Sequence, residues 1–171
     1  MRVPLASLLI LLSVSLPAMA GELRDQVLEQ LSGVEDPPSA AALMALGDGV
    51  DAVLIELAQD DSLPRTHRGR AVHALGDFPT ESGRTLLVTT LNADDSYLAR
   101  KAVYALGRGW GESALPELSQ ALSSDDLRLR EAAVHAMAPI DAAPVRAVLS
   151  ERLAVETEPT VQDALTAALA Q

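Results

Sequence analysis

The chain has 171 residues, 49% of them apolar and only 2% aromatic, with a formal net charge of −11. That length and apolar share support one packed domain and exclude wholesale disorder, while 29 alanines and 29 leucines make its core one of helix formers rather than strand formers. The acidic balance withholds the basic face that nucleic acid needs, and the lack of cysteine (0 Cys) excludes disulfides, thiolate-held metals and a thiol nucleophile.

In chain order, residues 1–20 come first and read MRVPLASLLILLSVSLPAMA. Arg2 precedes an apolar run from Leu5 to Leu16, which is followed by Pro17 and the small-x-small triplet Ala18-Met19-Ala20. That order is the order of a secretory signal peptide, and the run is shorter than the roughly 20 apolar residues of a spanning helix. Cleavage after Ala20 would leave Gly21 as the mature N-terminus and residues 21–171 as a single domain. The expected location is outside the cytoplasm, periplasmic or secreted. Membrane association is expected only through export or an uncleaved signal.

The rest of the chain is predicted to form helices near 22–32, 38–46, 49–59, 64–76, 81–92, 96–107, 112–123, 127–138, 142–155 and 159–170. Leu98, Ala102, Ala105 and Leu106 fall at the i, i+4, i+7, i+8 positions of one helix face, as do Leu129, Ala133, Ala136 and Met137. Leu87 and Leu91, Leu118 and Leu122, and Leu149 and Leu153 are each four apart and mark the apolar face of the alternate helices. The acidic pairs Asp60-Asp61, Asp94-Asp95 and Asp125-Asp126 precede helix starts, where a side-chain oxygen caps free backbone N–H groups. Gly76 and Gly107 are expected to close helices. Pro64, Pro116, Pro144 and Pro159 fall near helix starts, where a missing N–H costs little.

The segments repeat. Ala71-Val72-His73-Ala74-Leu75-Gly76 returns 31 residues later as Ala102-Val103-Tyr104-Ala105-Leu106-Gly107, and 31 later again as Ala133-Val134-His135-Ala136-Met137-Ala138. A reduced copy begins at Ala164, and Ala42-Leu43-Met44-Ala45-Leu46-Gly47 precedes the series at a spacing of 29. Repeats are read near 37–61, 64–95, 96–126 and 127–158, with a half repeat at 159–171. One helix pair cannot bury its apolar face alone, so the pairs must stack into a solenoid. Ala71, Ala102 and Ala133 are placed at the close contacts between helices.

The pattern Asp-Asp-x-x-x-Arg-Lys/Glu-Ala-x-x-Ala-Leu-Gly, best carried by residues 94–107 and 125–138, resembles HEAT repeats of the short, phycobilisome-lyase-like type. The resemblance covers about residues 37–171. It implies an all-α, α-α superhelix of about four to five helix pairs, and a non-catalytic scaffold that binds a protein or peptide. The alternative is an enzyme or enzyme accessory of the phycobilisome-lyase-like or deoxyhypusine-hydroxylase-like class, an oxidoreductase in the second case. That hydroxylase holds iron through His-Glu pairs just before the Ala-x-x-Ala-Leu-Gly core. Here the matching pairs are Gly69-Arg70, Arg100-Lys101 and Glu131-Ala132, so the metal dyads are absent.

No cofactor or metal site is therefore expected. Serines sit in no Gly-x-Ser-x-Gly elbow, and no Gly-rich phosphate loop is present. His73, Tyr104 and His135 share one repeat position, read as a solvent-facing stripe with members on the order of 10 Å apart. The scarce large apolar residues fall where the helices of each repeat join: Phe78 in Asp77-Phe78-Pro79, Trp110 in Arg108-Gly109-Trp110, and Ile140 in Pro139-Ile140-Asp141. Phe78, Trp110 and Ile140 are the candidate partner-binding residues, and the acidic loops would steer a basic partner.

Overall fold

The computed structural model describes residues 16–33 and 39–170, with side chains from residue 21 onward. Residues 1–15, most of the segment read as a signal peptide, lie outside the described residues. Ten α-helices follow: α1 (Leu16–Leu31), α2 (Ala40–Met44), α3 (Val50–Gln59), α4 (Arg65–Ala74), α5 (Glu81–Leu91), α6 (Ser96–Trp110), α7 (Leu115–Leu122), α8 (Leu127–Met137), α9 (Ala143–Leu153) and α10 (Pro159–Leu169). No strand occurs among the described residues. The architecture is an all-α solenoid. Helices α4, α6, α8 and α10 stack side by side in one layer, with α3, α5, α7 and α9 behind them.

The 31-residue period works because each copy buries the same positions. Ala71, Ala102 and Ala133 are all 0% exposed, and their small side chains let neighbouring helices approach closely. Leu75, Leu106 and Met137 fill the space beside them, and Leu87, Leu118 and Leu149 close the core from the second layer. Burying one such side chain stabilises by about 1.5–3 kcal/mol, so the repeated leucines supply the driving force for stacking. The largest fully buried side chains are leucines and one methionine, as the aromatic-poor composition requires.

The two ends are closed differently. At the N-terminal end α1 lies on α3 and α4 and buries Val27 and Leu31, while α2 is only five residues long. At the other end α10 covers α8 and α9 with Val161, Leu165 and Ala168.

Two of the three acidic pairs cap as expected. Asp95 accepts from the Leu98 N–H at 3.0 Å and Asp126 from the Arg128 N–H at 2.8 Å. Asp60-Asp61 does not cap α4, because the pair lies too far upstream and Pro64 takes the N-cap position. Asp60 instead accepts from the Ser62 N–H at 3.0 Å and pairs with Arg24 at 2.7 Å.

The larger departure is in α6. Gly107 does not end that helix; it continues to Trp110, and Gly111 ends it at φ +52°. Gly76 and Gly107 are both buried, and what matters at each is the missing side chain. A Cβ on Gly76 would lie 2.8 Å from the Ala105 carbonyl oxygen, and one on Gly107 would lie 2.7 Å from that of Ala136. The glycines let the backbones of α4, α6 and α8 touch.

Candidate functional site

The extension of α6 shapes a groove at the C-terminal ends of three consecutive first-layer helices. Its volume is about 490 Å³. His73 from α4, Tyr104 from α6 and His135 from α8 line it at equivalent repeat positions, and Ile140 and Pro139 from the following turn form an apolar wall. Ligand sites commonly enclose about 300–1,000 Å³ with apolar walls and a few polar groups, and this groove meets that description.

Arg108 organises one side. It is carried on the added turn of α6, which lies close to α4 because a Cβ on Gly109 would sit 2.9 Å from the Gly76 carbonyl oxygen. From there the Arg108 guanidinium pairs with Asp77 at 2.9 Å and donates to the His73 carbonyl. It also donates to His73 Nε2 at 2.9 Å. A guanidinium has no acceptor, so Nε2 must be the unprotonated nitrogen and the ring proton sits on Nδ1. Burial, reinforced by the charges of Arg108 and Lys101, pushes the His73 imidazole down to about 4. His73 is therefore neutral near pH 7.

These positions correct the expectation of a solvent-facing stripe. His73 and Tyr104 are half-buried, and their rings meet edge-on with centroids 6.3 Å apart rather than about 10 Å. Only His135 is exposed. The helix axes set the coarser spacing, and the long side chains lean toward one another across it.

The three apolar candidates do not share one surface. Ile140 lines the groove. Phe78 borders a separate cavity of about 460 Å³, together with Met44, Val50 and Pro79. Trp110 lines neither and is not in a turn; it is the last residue of α6, half-buried against the core. A Trp side chain buries about 150–250 Å² when enclosed. Half of that at about 25 cal/mol per Å² gives an expected loss of about 2–3 kcal/mol for Trp110→Ala. Urea denaturation measures it, and a loss under about 0.5 kcal/mol would show that the ring contributes no packing.

Arg108 was not legible as a groove residue because Gly107 reads as a helix end. One signal pointed the other way. The corresponding junctions hold Pro79 and Pro139, whereas after Gly107 no proline comes before Pro116, so the glycine is unsupported as a stop there.

The acidic ridge is largely engaged within the chain. Asp60 pairs with Arg24, Asp61 with Arg68 and Asp95 with Arg65, and Asp126 is a cap. Among the described residues no three His, Asp or Glu side chains are grouped to hold a metal ion, and no helix is long and apolar enough to cross a membrane. No curated protein shows a significant match to the chain. The family described as HEAT repeats matches residues 84–170.

Proposed function

The chain belongs to the HEAT repeat family, and from that premise we propose that it is a non-catalytic scaffold, exported from the cytoplasm, that holds a partner protein in the groove between His73 and Ile140. HEAT repeats commonly serve as protein-interaction scaffolds. The observation that carries the reading is the groove itself, which crosses three consecutive repeats and combines an apolar wall with fixed polar groups. Stacked repeats hold such a surface rigid, so little ordering entropy is lost when a partner docks. The 31-residue period and the Asp-Asp…Ala-Leu-Gly pattern support assignment to the short, phycobilisome-lyase-like form of the repeat. The absence of His-Glu pairs before that core supports a role without catalysis.

A photoreactive side chain at Pro139, on the groove wall, is expected to cross-link one defined partner in cells. The same group at Ala147, exposed on α9, is expected to give none. Equal labelling at both positions, or none at either, would remove the groove from the proposal. Export rests on the order of charge, apolar run, Pro17 and Ala18-Met19-Ala20. Edman sequencing of the natural protein is expected to begin at Gly21, and recovery of residues 1–20 would overturn export with cleavage.

A further inference from the structure

The charge of this protein is unevenly distributed. Against a net −11, helices α4 and α6 carry three basic residues each and α8 carries two, with Glu131 as the one acidic residue on the three. Five basic side chains have no carboxylate partner among the described residues, and four of them lie on these helices: Arg70, Arg100, Lys101 and Arg128. The fifth, Arg146, is on α9.

Three of the unpaired cations stand about one helical turn before groove residues: Arg70 before His73 on α4, and Arg100 and Lys101 before Tyr104 on α6. Arg70 is held by the Leu31 and Gly33 carbonyls, both at 2.6 Å, and Lys101 lies 5.5 Å from the Tyr97 ring centre. Burial, then the charges of Arg100 and Arg70, lowers the Lys101 ammonium. Arg100 and Lys101 stand four and three residues before the groove residue Tyr104 on α6, so they occupy the same side of that helix one turn away and extend the groove along it. Like charges held together repel, and a bound carboxylate relieves that repulsion.

We propose that the groove takes an extended acidic segment of a partner protein, with its carboxylates on Arg100 and Lys101 and an apolar side chain against Ile140. This rests on the scaffold reading and gives the partner the opposite sign to the one expected from the acidic loops, three of whose six carboxylates are paired with arginines of this chain. A peptide suits the site better than a long polyanion. The apolar wall of Pro139 and Ile140 has no use for a phosphate backbone, whereas it takes an apolar side chain set between carboxylates. A groove also fits a strand of chain better than a flat lipid surface.

The test is fluorescence anisotropy on the full chain with a labelled dodecapeptide alternating Glu with Leu. Its Gln-Leu and Lys-Leu counterparts, a twelve-nucleotide oligothymidylate and phosphatidylglycerol vesicles are the comparisons. The acidic peptide is expected to bind at least tenfold more tightly than every comparison and to weaken as salt rises. The double variant R100Q/K101Q is expected to lose at least tenfold in that affinity, whereas R146Q keeps it. No binding of the acidic peptide, tighter binding of any comparison, or full binding by R100Q/K101Q would overturn the proposal. The peptide series on the unaltered chain decides even if the double variant does not fold. Cross-linking at Pro139 separates this failure from that of the scaffold reading. A partner still captured there by R100Q/K101Q leaves the scaffold standing and removes the acidic segment, whereas no partner at Pro139 in the unaltered chain removes the scaffold.

Discussion

Replacing Glu156 with Ala is expected to cost about 3–5 kcal/mol, more than any surface change in this protein, because it strands a buried arginine. Glu156 is 4% exposed and Arg130 is 8% exposed. Arg130 Nε donates to Glu156 Oε2 at 3.0 Å and Nη2 donates to Oε1 at 3.2 Å. Arg152 donates to the same carboxylate at 2.6 Å, and the Thr157 and Glu158 N–H groups each donate at 3.0 Å. Arg130 also donates to the Ser124 and Asp125 carbonyls, so the cluster ties the start of α8 to the α9–α10 junction. Each unit of a solenoid contacts only its neighbours, so the loss should appear first at the C-terminal end. Hydrogen exchange on Glu156→Ala should show α9 and α10 amides exchanging well before those of α6. A loss below about 1 kcal/mol would mean that the pair contributes nothing beyond its own desolvation.

The same cluster sets an acid limit. Burial alone would raise the Glu156 carboxyl, but hydrogen bonds from the Glu158 N–H, Arg130, Arg152 and the Thr157 N–H outweigh it and hold the group at about 2. Its ordinary value is 4.5. Between the two, the unfolded chain binds the proton that the folded one refuses. Stability is therefore complete above about 4.5 and is lost as pH falls toward about 2. His73 acts earlier and in the same direction, since its value drops from 6.5 to about 4 on folding. Denaturation midpoints measured against pH should fall in two stages. E156Q should flatten the lower stage, and H73Q the upper one.

A second large effect is expected at Gly107, where two rules give opposite signs. Within a helix, Gly→Ala gains about 1 kcal/mol from propensity alone. At this site the new Cβ would lie 2.7 Å from the Ala136 carbonyl oxygen and 3.0 Å from the Ala136 Cβ. Those atoms belong to the backbone and first carbon of α8 and cannot rotate away, so α6 and α8 must separate. Packing should win, with a net loss of about 1–3 kcal/mol for Gly107→Ala and more for Gly107→Val. Gly69 is the control. A Cβ there would collide with Cε1 of Tyr97, but that is the far end of a side chain that can swing aside. Gly69→Ala should then be nearly neutral, with propensity offsetting the lost contacts of Tyr97 with Arg65 and Lys101. Urea midpoints of the two variants decide the matter. Equal losses would show that the helix contacts yield as easily as a tyrosine ring.

The helices and the core were legible because both depend on short-range periodicity. Leu98, Ala102, Ala105 and Leu106 could be assigned to one face by spacing alone, and all four are buried. The helix near 81–92 is Glu81–Leu91, and the one near 127–138 is Leu127–Met137. The site was less legible. Ile140 was singled out and lines the groove, whereas Trp110 was singled out for scarcity and packs against the core. Arg108, which orients His73, stood unremarked one residue after a glycine.

By itself, then, the sequence determined the all-α class, the positions of the helices and the repeat that makes them stack, since each follows from propensity and from spacings within about 31 residues. The tertiary structure alone decided what the glycines do, because Gly107 ends a helix by local preference but lets α6 and α8 meet once they are stacked. It alone decided that His73 stays neutral down to about pH 4, since that depends on burial in the fold and then on an arginine 35 residues away. It also decided which charges are engaged within the chain. Composition sums charge over the chain, whereas the fold pairs Asp60, Asp61 and Asp95 with arginines and leaves Arg100 and Lys101 without a carboxylate partner among the described residues. Pairing is a matter of distance in space, and no count along the chain contains it.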